Sequence, residues 1–350
     1  MNLTRPLLTV CIPAYNRAAL LAPLLDSIVS QAYDDFDILI CEDGSPERAA
    51  IAVVVSQFQK IHPARIQYHE NASNLGYDGN IRQLVQLAEG QYCVFMGNDD
   101  LMCPGALQAI ADALQRHPEC GVLVRTYATF EADPAVHKQV FRYFPDELVI
   151  SAGAQAIATG YRRSVVIPGM VIHRDAALAV STAQFDGTLL YQLYLVGMIL
   201  ATHSVVFTPQ IIALRRDGTP PDFGNSEAEK DKFVPQDQTP ASSVHFMRGM
   251  LTIAEHVGRA TGLDVFRNIR ADIGNYAYPI LAIQARRPLG QFLRYGLQLA
   301  GLGLWRYPLF HLYFMALLLI GPDRSDRLIT TIKRRLGYTP RFGAARERPR

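Results

Sequence analysis

Apolar positions in the first third of the chain alternate between two periods. Residues 7–12, 37–41 and 92–96 are short apolar runs, each closed by a polar or Gly-rich stretch, the pattern of strands buried on both faces. Between them, residues 20–29 carry apolar side chains at 20, 21, 24, 25, 28 and 29, the three-to-four spacing of an amphipathic helix. Residues 50–58 and 81–87 share that character. Strand and helix in alternation predict an α/β domain whose central sheet is mainly parallel and covered on both sides, Rossmann-like in outline. Beyond residue 123 the pattern loosens. Residues 171–173 and 205–207 predict strands and 189–201 a helix, whereas 217–239, rich in Pro, Gly and charge, has no period and predicts a long loop. From 242 onward the spacing predicts helices, including 244–257 and 269–283. The expected organisation is a nucleotide-type domain over 1–215, a flexible active-site loop over 216–241, a helical segment over 242–323 and a basic tail over 324–350.

Composition and charge narrow the partners. Apolar residues make up 49% of the 350 and charged residues 19%, which is globular and sufficient for a sizeable core. The net charge of +2 is unevenly spread: residues 324–350 hold nine Lys/Arg and two Asp/Glu, leaving 25 basic against 30 acidic residues before them. A body without basic excess cannot track a phosphate backbone, so no nucleic-acid partner is expected. A basic tail beside an apolar stretch fits an anionic membrane surface instead. Cys11, Cys41, Cys93, Cys103 and Cys120 are odd in number and lack the close spacing of zinc or redox sites, which implies a reducing compartment. Residues 1–9 hold no apolar core of signal-peptide length, because Arg5 and Pro6 interrupt it. The expected location is cytoplasmic, peripheral on the cytoplasmic face of the membrane.

In open parallel sheets ligands bind beyond the carboxyl ends of the strands. The three runs are followed here by Pro13-Ala14-Tyr15-Asn16, Glu42-Asp43-Gly44-Ser45 and Gly97-Asn98-Asp99-Asp100. Adjacent carboxylates at a strand end suit a hard divalent cation, Mg²⁺ or Mn²⁺, which keeps positions open for phosphate oxygens. Alone, the Asp99-Asp100 pair fits an acidic helix start equally well, and Glu42-Asp43-Gly44-Ser45 an ordinary Asp-Gly turn. As an ordered set, with Asn74-Leu75-Gly76 before the next helix and Gly90-Gln91-Tyr92 opening the third run, the motifs resemble the family 2 glycosyltransferases of the GT-A fold over residues 7–125. The resemblance implies transfer, with inversion, of a sugar from a nucleoside diphosphate sugar to a glycan or lipid-linked saccharide acceptor in cell-surface polysaccharide synthesis. It implies a donor pocket of Pro13, Tyr15, Asn16, Glu42 and Asp43, with Asp43 accepting from the base, while Asn74, Gly76 and Asn80 lie along the ribose and sugar beside Asn98. It also implies that Asp99 is the metal ligand. Asp100 is then a second ligand or the N-cap of the helix opening near Pro104. The chain departs from the family pattern at Gly97, where the first carboxylate usually stands.

An inverting transfer needs a carboxylate base on the acceptor, and the resemblance implies one at a helix start after the next strands. Asp186 before the 189–201 helix is the expected base, with a plain N-cap as the competing reading and Asp175 as the alternative residue. Arg215 ends an apolar strand where a guanidinium fork could clamp diphosphate, and His245 is a possible further metal ligand. Residues 307–320 are apolar apart from His311, short of the roughly 20 residues that span a bilayer. Trp305, Tyr307 and Tyr313 favour an interface, so 297–320 reads as a membrane-surface helix, with a buried core segment and a true span as the competing readings. Two rival functions remain: a catalytically inactive, membrane-associated nucleotide-sugar binder, and a sugar nucleotidyltransferase. The latter would need a Gly-rich, basic phosphate loop after the first strand.

Overall fold

The computed structural model describes residues 5–336. Its strands are β1 (Leu8–Ala14), β2 (Phe36–Glu42), β3 (Ile66–Glu70), β4 (Tyr92–Phe95), β5 (Leu101–Met102), β6 (Cys120–Phe130), β7 (Gln139–Phe141), β8 (Leu148–Ile150), β9 (Met170–His173) and β10 (Ser204–Arg216). The helices are α1 (Ala18–Val29), α2 (Arg48–Ile61), α3 (Gly76–Leu87), α4 (Ala106–Arg116), α5 (Ala154–Gly160), α6 (Arg174–Ala179) and α7 (Tyr191–Ile199). Six more follow the sheet: α8 (Pro240–Thr261), α9 (Phe266–Asn275), α10 (Tyr278–Ala282), α11 (Leu289–Gly301), α12 (Pro308–Ile320) and α13 (Pro322–Leu336).

One sheet runs in the order β3-β2-β1-β4-β9-β6-β10-β5. Its first four strands are mutually parallel, as is the β6–β10 pair, while β9 lies antiparallel between β4 and β6. Alternate side chains of each central strand enter opposite cores, which explains the unbroken apolar runs. On β1, Val10 and Ile12 join a cluster with α1, α2 and α4, and Cys11 joins a second cluster with α3, α7 and α8. This second cluster continues through Ile269, Phe292 and Leu317 of the C-terminal helices, so those helices and the sheet share one core.

The expected strands and helices appear, with local differences. The helix expected over 269–283 is two, α9 and α10: the break falls at Tyr276 (φ −107°, ψ 27°), and Pro279 sits in the first turn of α10, where its missing N–H costs no intrahelical bond. Strand β3, with mostly half-buried residues, lacks a clean apolar run. All five cysteines are free thiols, four of them buried. No helix among the described residues is long and apolar enough to cross a membrane. The part of the basic tail beyond residue 336 lies outside the described residues.

Candidate active site

Strand β1 is the switch point of the sheet: the chain steps to β2 and β3 on one side, then returns to place β4 on the other. A crevice opens at the carboxyl ends of such a pair. Residues 15–17 leave β1 there and residues 96–100 leave β4. Asn98 joins the two segments, its amide donating to the carbonyls of Tyr15 (3.3 Å) and Asn16 (2.9 Å). Asn16 and Arg17 take positive φ, 52° and 61°, left-handed geometry that costs a non-Gly residue on the order of 1 kcal/mol or more.

Asp99 and Asp100 are both buried. Arg17 Nη1 sits 2.8 Å from Asp99 Oδ2, and the Arg216 backbone N–H donates to Asp100 Oδ1 at 2.9 Å. Burial, and then the neighbouring Asp99, push the Asp100 carboxyl up to about 8, against the pull of Arg216, Arg215 and Arg17. A Cβ built on Gly97 would overlap Asp100 Oδ2. Asp100 therefore fills the space that a side chain at position 97 would occupy. It does not cap α4, whose N-cap is Gly105 with no side-chain bond; the Asp100 carboxylate instead bridges the end of β4 to β10.

The second-strand motif serves its own turn. Glu42, with no exposed surface, accepts from the N–H groups of Gly44 (3.0 Å) and Ser45 (2.7 Å) and from Arg48 Nε (2.5 Å). Burial raises its pKa, but these donors outweigh burial and hold it below the ordinary value. Asp43 Oδ1 accepts from Asn71 Nδ2 and the Leu75 N–H, both at 2.8 Å, and burial pushes its carboxyl up to about 6. Asn80 is buried, bonded to Asn71 and to the Cys41 carbonyl, so it braces Asp43. Asn74 caps the Gly76 N–H at 2.9 Å. Pro13, one residue before the end of β1, lies in register with Cys41.

The long loop lies over this rim. Asn16 Nδ2 donates to Asp222 Oδ2 (2.6 Å) and Arg17 Nη2 to the Pro220 carbonyl (2.8 Å). Glu229, buried, accepts from the Tyr77 N–H at the start of α3 (2.7 Å) and from the Gly224 N–H (2.8 Å), a carboxylate at the positive end of a helix. Tyr15 is half-buried, and its hydroxyl pKa is raised by burial and by Asp222, Asp43 and Glu229. Buried polar atoms around the crevice with no hydrogen-bond partner among the described residues include Asn16 Oδ1, Ser45 Oγ, Ser226 Oγ and Arg215 Nε. Arg215 pairs with Asp217.

Asp186 lies in the turn before α7, both carboxylate oxygens held by Arg82, at 2.5 and 2.7 Å. It is not the cap of α7. That role belongs to Asp78 on α3, which accepts from the N–H groups of Thr188, Leu189 and Tyr191 at 2.8–2.9 Å. The loop reaches this turn too, since a Cβ on Gly187 would overlap the Ala228 carbonyl. His245 bonds the Gly187 carbonyl at 3.0 Å, a positioning contact for the same turn. Asp175 is paired with Arg5 at 2.8 Å, near the amino-terminal end of β4, because β9 runs antiparallel with His173 opposite Tyr92. That places it away from the rim. Sequence reasoning missed Asp78, Arg17, Asp222 and Glu229 as architects of this region. Only the acidic first turn of α3 carried a local signal for any of them.

Two adjacent buried carboxylates supply the oxygen ligands that a hard cation prefers, although Arg17 already pairs with Asp99. Among the described residues no group of three His, Cys, Asp or Glu converges, so remaining ligands would come from donor oxygens and water, as Mg²⁺ sites commonly allow.

Residues 9–177 match the family described as glycosyl transferase family 2. The abequosyltransferase RfbV of Salmonella typhimurium is 35% identical over 101 residues, 29% of this chain and 30% of that protein. The GalNAc(5)-diNAcBac-PP-undecaprenol beta-1,3-glucosyltransferase of Campylobacter jejuni is 32% identical over 106 residues, 30% and 33% of the two chains. The matched stretch thus spans about a third of these relatives' length. Staphylococcus aureus TarS 1-349, solved with UDP-GlcNAc, superposes with a TM-score of 0.56 at 14% identity, covering 96% of this chain and 93% of that one. A Pyrobaculum calidifontis mannosyltransferase solved with GDP-Man and Mn²⁺ gives 0.52 at 15%, covering 95% and 87%. By the strand-end motifs, the switch-point crevice and these likenesses, residues 9–177 form a glycosyl transferase family 2 domain with the GT-A fold.

Proposed function

We propose that this chain is an inverting glycosyltransferase that moves a sugar from a nucleoside diphosphate sugar to a glycan or lipid-linked saccharide acceptor in cell-surface polysaccharide synthesis. The observation that carries the reading is the crevice between β1 and β4, where Tyr15, Asp43, Asp99 and Asp100 converge under a loop bearing Asp222 and Glu229. Tyr15 and Pro13 form a wall for the base, and Asp43, braced by Asn71 and Asn80, offers its carboxylate. Asp99 and Asp100 would hold a Mg²⁺ or Mn²⁺ ion, whose positive charge would offset that of the diphosphate. Arg215, with an unpartnered Nε, adds a guanidinium on the β10 side. Asp186, oriented by Arg82, accepts the proton of the acceptor hydroxyl as that oxygen bonds to the anomeric carbon. The printed names of the Salmonella and Campylobacter relatives support an acceptor of the saccharide or lipid-linked type.

The test pairs binding with turnover. A thermal-shift screen of UDP-, dTDP-, GDP- and CDP-sugars with and without Mn²⁺ is expected to show one donor raising the melting temperature, more so with metal. Asp99→Asn is expected to lose the metal-dependent part and to cut donor hydrolysis by about 100-fold or more. Undiminished hydrolysis in that variant sinks the metal assignment.

The C-terminal helices support a place on the cytoplasmic membrane surface. Helix α12 has His311 as its one polar residue and buries Leu309, Phe310 and Leu317. It nevertheless leaves Leu312 60%, Met315 45% and Leu319 72% exposed, next to Trp305 at 56%. An exposed apolar stripe of this kind, ahead of a chain end rich in Lys and Arg, suits shallow insertion beside anionic headgroups.

A further inference from the structure

Arg17 lies outside the donor set read from the motifs, yet its side chain joins the Asp99 carboxylate to the 217–239 loop. It is the first residue beyond Tyr15-Asn16 and the N-cap position of α1. Its backbone and that of Asn16 are both left-handed. Neighbouring bonds enforce this geometry: Asn98 grips the Tyr15 and Asn16 carbonyls, Asp222 takes the Asn16 amide, and Glu47 Oε2 accepts the Ala18 N–H at 2.8 Å. The product is a guanidinium aimed back across the crevice. One nitrogen, Nη1, reaches Asp99 Oδ2 at 2.8 Å, and the other, Nη2, the Pro220 carbonyl at 2.8 Å. The Arg17 and Asp99 side chains are only 22% and 12% exposed, so water screens the pair weakly.

We propose that Arg17 is a positioning residue that competes with the divalent cation for Asp99 and tethers the 217–239 loop to that carboxylate. The inference rests on the cation reading above. The same Asp99 oxygen cannot accept from the guanidinium and bind a cation at full strength, so the two exchange. Because both nitrogens belong to one planar fork, moving Nη1 off Asp99 also breaks the grip on Pro220. Cation binding and loop release are thereby coupled through one side chain, and the freed guanidinium stays beside the crevice where a diphosphate carries its charge.

Mn²⁺ titration of the full chain, followed by the electron paramagnetic resonance of free Mn²⁺, needs no turnover and reads the competition directly. Hydrogen exchange of residues 217–239 reads the tether. Arg17→Ala is expected to bind Mn²⁺ about fivefold more tightly, the worth of one partly exposed ion pair, and to exchange the loop amides faster. Arg17→Lys, which keeps the charge but not the fork, should fall between the two and serves if the alanine variant folds poorly. In the unaltered chain Mn²⁺ should itself speed exchange of the loop. Unchanged or weaker Mn²⁺ binding in both variants overturns the inference, provided that Asp99→Asn abolishes binding. If Asp99→Asn binds Mn²⁺ normally, the cation reading fails instead and the competition falls with it.

Discussion

At the scale of single residues, the acidic positions separate by what surrounds each carboxylate. Glu42 stands in the donor motif, but its oxygens are consumed by the Gly44 and Ser45 N–H groups and by Arg48. Glu42→Gln would turn an acceptor into a buried donor facing other donors, and urea unfolding is expected to show a loss of roughly 2–4 kcal/mol. Since its folded pKa is depressed, the contribution of Glu42 is present above the unfolded value near 4.5 and fades as pH falls. Asp37 behaves in the opposite sense. Burial pushes its carboxyl up to about 6, with a Thr9 hydrogen bond pulling down and Glu89 pushing up. A raised acid pKa means that the folded chain holds its proton longer, so ionising Asp37 costs stability as pH rises from about 4 to 6. Replacing it by Asn should remove that slope. The stability difference between the two proteins is expected to change by about 3 kcal/mol across the window, and parallel curves would show that Asp37 keeps an ordinary pKa.

Elements are held in place by side chains from distant ones. The amino end of α7 has no cap of its own and takes Asp78 from α3, more than a hundred residues earlier. The start of α3 in turn receives Glu229 from the loop. Strand periodicity and the turns after β1, β2 and β4 were legible in the sequence, because side-chain alternation and turn residues are local properties. Strands β5, β7 and β8 were not, since two or three residues carry no readable period. At α12 the apolar run was legible, but which of its faces is buried depends on packing against its neighbours. Changing Leu312 and Leu319 together to Ser should abolish flotation with phosphatidylglycerol vesicles and leave the melting temperature within about 2 °C, because both side chains are solvent-facing. Equal flotation of both proteins would remove α12 from the membrane assignment.

For the whole molecule, the apolar cluster running from β1 and β4 through α7 and α8 to α12 argues that the sheet and the C-terminal helices fold together. A chain ended at residue 241 would expose the surfaces of α7 that Val257 and its neighbours cover. It is expected to lose cooperative thermal unfolding, whereas a separately stable sheet domain would keep a sharp transition.

By itself the sequence determined the alternation of strand and helix, the polar turns at the strand ends and the family to which they belong. Periods and turns are written within a dozen consecutive residues, and the family in the order of such short motifs over residues 7–125. Tertiary structure decided which carboxylates remain available. Whether Asp99, Asp100, Asp186 or Glu42 faces an open crevice or a partner depends on the guanidinium groups of Arg17, Arg82 and Arg48 and on the Arg216 backbone N–H, three of which arrive across 82 to 116 residues. Chain closure over such separations is set by the packing of the two cores, and no local pattern of residues encodes it.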